Sequence, residues 1–120
     1  MVRESRWWLL SLGAAAFMIV LLTLHMGLMH LGGLMRFLGA ELGDVRAFAA
    51  VMERGRQLGQ VVFYLLFLAA ALYHGLYGVR SVLLEVTAPR ALPLVTVLVA
   101  LAGLVAFAYG AYVTVKTFTG

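Results

Sequence analysis

Three long runs without Asp, Glu, Lys or Arg dominate the chain: Trp7 to Met35, Gln57 to Val79 and Ala91 to Val115, of 29, 23 and 25 residues. A helix rising ~1.5 Å per residue needs roughly 20 residues to cross ~30 Å of hydrocarbon, so each run can form a transmembrane helix. A barrel strand would instead alternate polar and apolar residues, and no such alternation occurs. Backbone groups in lipid must be satisfied within their own segment, which favours helices. The pattern therefore predicts an all-α membrane protein, one domain over 1–120, with helix I at about 7–36, helix II at about 57–87 and helix III at about 92–116.

The polar interruptions carry their own signals. Helix I opens on "RESRWWLL", two arginines for the headgroups followed by Trp7 and Trp8, whose rings prefer the membrane interface. It is expected to close near Gly32, Gly33 and Arg36. In the 37–56 connection, Asp44 is placed as an N-cap, and Val45, Phe48, Ala49 and Met52 recur at helical spacing with Arg46, Glu53 and Arg56 off that stripe. A short interfacial helix between helices I and II fits this pattern. Proline disfavours helical geometry in the residue before it, so "TAPRALP" ends helix II near Thr87. On helix III, Ala102, Ala106 and Gly110 repeat every four residues, a groove that another helix can approach closely.

Composition narrows the function classes. Of 120 residues 64% are hydrophobic, more than a soluble domain of this size needs for a core. Arg3 and Arg6 before an apolar run, with "AAA" at Ala14 to Ala16, resemble a signal peptide, but the run continues far past a normal h-region and cleavage is not expected. With no cysteine, the chain offers no disulfide, no thiolate for an iron–sulfur cluster and no attachment point for c-type haem. The net charge of +4 comes from basic residues scattered at helix ends, which reads as membrane anchoring and not as nucleic-acid binding. Arg3, Arg6, Arg80 and Arg90 on one side balance Arg36, Arg46, Arg54, Arg56 and Lys116 on the other, so charge alone assigns no orientation. No Ser-His-Asp set, phosphate loop or HExxH motif occurs, and the chain is not expected to be an enzyme by itself.

The chemistry concentrates in "LYHGLYGVRSVLLE", Leu72 to Glu85. At ~100° per residue, His74 and Glu85 share one helix face ~16 Å apart along the axis, with Tyr77, Gly78 and Ser81 on or beside that stripe and Arg80 turned away. Ala70, Ala71, Gly75 and Gly78 surround His74 with small side chains. A flat macrocycle could stand there, with the imidazole as an axial ligand, which suggests haem b. Equally, His74 could hydrogen-bond across a helix interface while the small residues serve packing. Glu85 and Arg80 near the membrane edge also fit snorkelling or pairing. His25 and His30 on helix I lie ~140° apart and cannot both face one site closely. His25 is the further candidate ligand, and His30 lies near the boundary.

"HGLYGVRSVLLE" resembles the helix II segment of succinate dehydrogenase membrane-anchor subunits, whose pattern runs H-G-x-x-G-[LIV]-R-x-x-[LIV]-x-[DE]. His74, Gly75, Gly78, Val79, Arg80 and Glu85 match it in place. The specific motif covers about a dozen residues, but the layout of three helices, an Arg/Trp start and "GDVRAFAAVMERG" before helix II also resembles the smaller of the family's two anchors. The resemblance implies a complex in which a flavoprotein oxidises succinate, an iron–sulfur subunit carries the electrons and two small anchors hold both on the membrane where quinone is reduced. It implies His74 as an axial ligand of haem b, with His25, Gly75, Gly78, Arg80 and Ser81 as cofactor-site candidates and Glu85 near the quinone. It further implies a second membrane-anchor subunit that completes the haem site, a prokaryotic cytoplasmic membrane and a cytoplasmic N-terminus. Many relatives have Asp-Tyr where this chain has Glu85-Val86, so the phenol that contacts quinone there is missing. A fumarate reductase anchor shares the architecture, and a haem-free structural or assembly protein is the rival from another class.

Overall fold

The computed structural model describes residues 2–39 and 47–120. The predicted all-α class holds: among the described residues there is no strand, and three helices are long and apolar enough to cross a membrane. The elements are α1 (Val2–Phe37), α2 (Phe48–Gly55), α3 (Leu58–Val86), a single 3₁₀ turn (Pro89–Ala91) and α4 (Leu92–Thr119).

Helix α1 runs through Gly32 and Gly33 and ends at Phe37, one residue past the expected close at about Arg36. Breaking a helix exposes backbone groups that lipid cannot satisfy, so glycine alone does not end it. Termination comes from Gly39 at φ +86°, a left-handed conformation that glycine adopts without a Cβ clash. At the other turn the reading from proline agrees with the geometry. Thr87 and Ala88 are extended, at ψ 157° and 147°, ahead of Pro89. Helix α2 begins after Ala47, while Asp44 and Val45 of the expected interfacial helix lie outside the described residues.

Helix α3 is the middle of an up-down-up arrangement. It packs along α1 on one side and α4 on the other, whereas α1 and α4 share no comparable seam among the described residues. The result is a slab of 60 × 32 × 23 Å instead of a closed bundle. Two glycines of α4 face α3 leucines closely: a Cβ on Gly103 would lie 2.6 Å from Leu76 Cδ1, and one on Gly110 2.6 Å from Leu68 Cδ2, so the leucine ends would have to shift. Of the expected small-residue stripe, Gly110 therefore meets α3, while Ala102 and Ala106 are exposed. Hydroxyls along the helices bond back to their own carbonyls, Ser81 to Tyr77, Thr96 to Leu92 and Thr114 to Gly110, which keeps them satisfied in lipid.

A slab has little interior. Among the described residues Leu21, Val61 and Ala70 are the buried hydrophobic ones and Ser11 the buried polar one, while large apolar side chains cover the outside. In water that surface would be a liability; here it faces lipid or other subunits.

Candidate functional site

His74 sits on α3 opposite α1, and its ring is held from one side. Its Nδ1 lies 3.0 Å from the Ser11 carbonyl oxygen and 3.2 Å from Ser11 Oγ. A carbonyl can only accept, so the closer contact requires Nδ1–H as the donor. The lone pair is thereby assigned to Nε2. This is the arrangement of a metal-ligating histidine, in which a hydrogen bond to one nitrogen fixes the tautomer and aims the other. One residue earlier, Tyr73 donates its hydroxyl to the Trp7 carbonyl at 3.0 Å. Trp7 and Ser11 are one turn apart, so α3 is latched to two successive carbonyls of α1.

The small residues near His74 divide by what they touch. Ala70 is buried, whereas Gly75 and Gly78 are exposed and an added Cβ on either would meet nothing within 4 Å. Gly103 and Gly110 are explained by packing inside this chain; Gly75 and Gly78 are not. His74 is exposed too, on the same open side. The fold thus presents an oriented imidazole and a side-chain-free strip to something outside the chain.

The other residues singled out from the sequence are placed as follows. Glu85 is exposed one residue before α3 ends, on the His74 face and ~16 Å along it. Ser81 is occupied by its bond to the Tyr77 carbonyl. Arg80 points to the α4 side, where its Nε donates to Thr96 Oγ1 at 3.0 Å. His25 stacks on Phe63, centroids 6.3 Å apart at 23°, and meets Tyr64 edge-on at 6.2 Å. His25 and His30 lie 14 and 19 residues beyond Ser11 on α1, or ~21 and ~28 Å along its axis. The structure therefore joins neither to His74. Among the described residues no three or more His, Asp or Glu gather as a metal-binding set.

On the opposite side of α3 lies a cavity of about 840 Å³ between α3, α4 and the start of α1. Trp7, Tyr77, Arg80 and Thr96 contribute its polar groups, and Leu76, Val99, Gly103 and Phe107 its apolar lining.

A hydrophobic membrane-anchor subunit of succinate dehydrogenase from Archaeoglobus fulgidus is 33% identical to this chain over 112 residues, covering 92% of the chain and 88% of the relative. The chain belongs to the succinate dehydrogenase hydrophobic membrane-anchor subunits. No family model matches it, and no solved structure does. The anchor is an integral membrane protein that associates with other subunits of its complex.

The sequence singles out His74 but does not show the contact that orients it. Ser11 is one serine in an apolar run, 63 residues away, and only the crossing of α1 and α3 makes it a partner. The tandem Tyr73-His74 opposite i, i+4 carbonyls was the available signal. Thr96 was missed as well, because a threonine at the start of a membrane helix is ordinary until an arginine reaches it.

Proposed function

We propose that this anchor holds haem b through His74 and, with a second anchor, an iron–sulfur subunit and a flavoprotein, carries succinate-derived electrons to quinone. One observation carries the reading: His74 offers Nε2 outward, its Nδ1–H fixed on the Ser11 carbonyl, beside two glycines that this chain's own packing does not require. Packing within this chain would account for the Ser11 contact, but it leaves Gly75 and Gly78 without a reason.

His74 would hold the iron and Gly75 and Gly78 would give the macrocycle clearance, with the second anchor completing the site. When bound, the haem supplies one-electron redox chemistry in a low-dielectric setting. The chain's own residues do the rest. Ser11 holds the ring, and Glu85, on the same face nearer the helix end, is suited to deliver a proton to reduced quinone at the membrane edge. By the family analogy the N-terminus and the α3–α4 turn lie in the cytoplasm of a prokaryotic cell. His25, in its aromatic setting far along α1, is left outside this site.

The test is a reduced-minus-oxidised spectrum of the complex purified with its partners. His74→Ala should abolish the b-type bands while the other subunits still co-purify. Bands unchanged by that substitution would remove His74 as the ligand, and no b-type bands in the wild type would leave a structural anchor.

A further inference from the structure

A second cavity, a groove of about 750 Å³, lies between α1 and α3. Its floor is made of small residues, Gly13, Ala14 and Ala70, and its walls of Leu9, Phe17 and Leu66. A Cβ added to Gly13 would meet nothing within 4 Å, so no part of this chain fills the space over that glycine. Arg6 and Phe17, at the two ends of the α1 wall, are eleven residues apart, or ~16 Å along the axis, about half of the ~30 Å hydrocarbon thickness. Trp7 and Trp8 put the Arg6 end at the membrane interface, so the groove descends from there through roughly one leaflet. It is not the strip beside His74: around α3, Leu66 lies about 180° from Gly75 and about 120° from Gly78.

We infer that this groove binds an anionic phospholipid, its phosphate at Arg6 and an acyl chain along Gly13 and Ala14. Arg6 is exposed, and among the described residues it makes no hydrogen bond or ion pair, so its charge and its fork of donors are open to a ligand. Arg80, by contrast, is engaged by Thr96 and by a further contact. Guanidinium pairs bidentately with phosphate, and an anionic headgroup brings no ammonium of its own to compete for that phosphate, as a zwitterionic one does. Below Arg6 the groove is lined by apolar residues alone, and Leu9, Phe17 and Leu66 are exposed along it, surface that an acyl chain would cover. Its reach of one leaflet, with the charge at the interface end, has the polarity and depth of a lipid, whereas a partner helix would run on through both leaflets.

The experiment uses the intact complex extracted in mild detergent, with co-purifying lipids quantified by mass spectrometry. Wild type should retain anionic phospholipid, and Arg6→Gln about tenfold less after the same detergent wash. Gly13→Leu, which fills the groove, keeps the charge and meets nothing else in this chain, should lose it as well. Arg6→Lys, a cation without the fork, should keep part of it. Gly13→Leu decides the matter if Arg6→Gln does not assemble. After delipidation, phosphatidylglycerol micelles should raise the Tm of wild type and not that of Gly13→Leu, and phosphatidylcholine micelles should raise neither. Equal retention in wild type and Gly13→Leu, equal effects of the two lipids on wild type, or an Arg6→Gln complex that keeps its lipid and sheds another subunit would overturn the inference.

Discussion

His74 has two neighbours on one serine, and they need not matter equally. The carbonyl of Ser11 belongs to the backbone and survives any side-chain change, whereas the hydroxyl sits 0.2 Å further away at 3.2 Å. Ser11→Ala should therefore leave the b-type bands in place; their loss would mean that the hydroxyl, not the carbonyl, sets the tautomer. Tyr73→Phe removes the second latch without orphaning the Trp7 carbonyl, which keeps its intrahelical bond. The expected cost is ~0.6 kcal/mol, typical of a side-chain hydrogen bond in a membrane, and thermal unfolding of the complex measures it. Either contact could be read from the residue types only by knowing where two helices cross.

At the scale of elements, glycines with the same appearance in sequence do opposite work. Gly110→Leu should push α4 off Leu68 and destabilise the complex by about 1–3 kcal/mol, the usual cost of overpacking. Gly78→Ala meets nothing in this chain and improves helix propensity, so it should not destabilise the isolated helix. On the proposed haem reading its effect should fall on haem content, read from the b-type absorbance per complex. A loss of stability with haem unchanged would assign Gly78 to packing against a partner helix instead. Helix boundaries follow the same logic: Pro89 stops α3 by a local steric rule legible in sequence, whereas α1 passes two glycines because lipid penalises a break.

At the scale of the molecule, a slab in which α3 packs along α1 and α4 leaves many large apolar side chains on its surface. Such a chain relies on lipid and on other subunits for its packing. Three crossings put the two ends on opposite sides, and the absence of cysteine makes the orientation measurable. In otherwise intact cells, a membrane-impermeant thiol reagent should label Thr119→Cys from outside, while Arg90→Cys should react only after the cells are opened. The reverse pattern would invert the orientation carried over from the family.

The apolar runs by themselves determined the fold class and the crossings, because a chain that must satisfy its backbone in lipid has few alternatives. The spacing of His74, Gly78 and Glu85 along one helix was equally legible, since a shared face follows from 3.6 residues per turn. Tertiary structure decided what surrounds those residues: Ser11 reaches His74 across 63 residues, Gly75 and Gly78 stay open while Gly103 and Gly110 close, and Arg80 turns to Thr96. The physical reason is that helical periodicity is local, whereas the side of a helix that meets a neighbour depends on which helices pack and how closely their backbones approach.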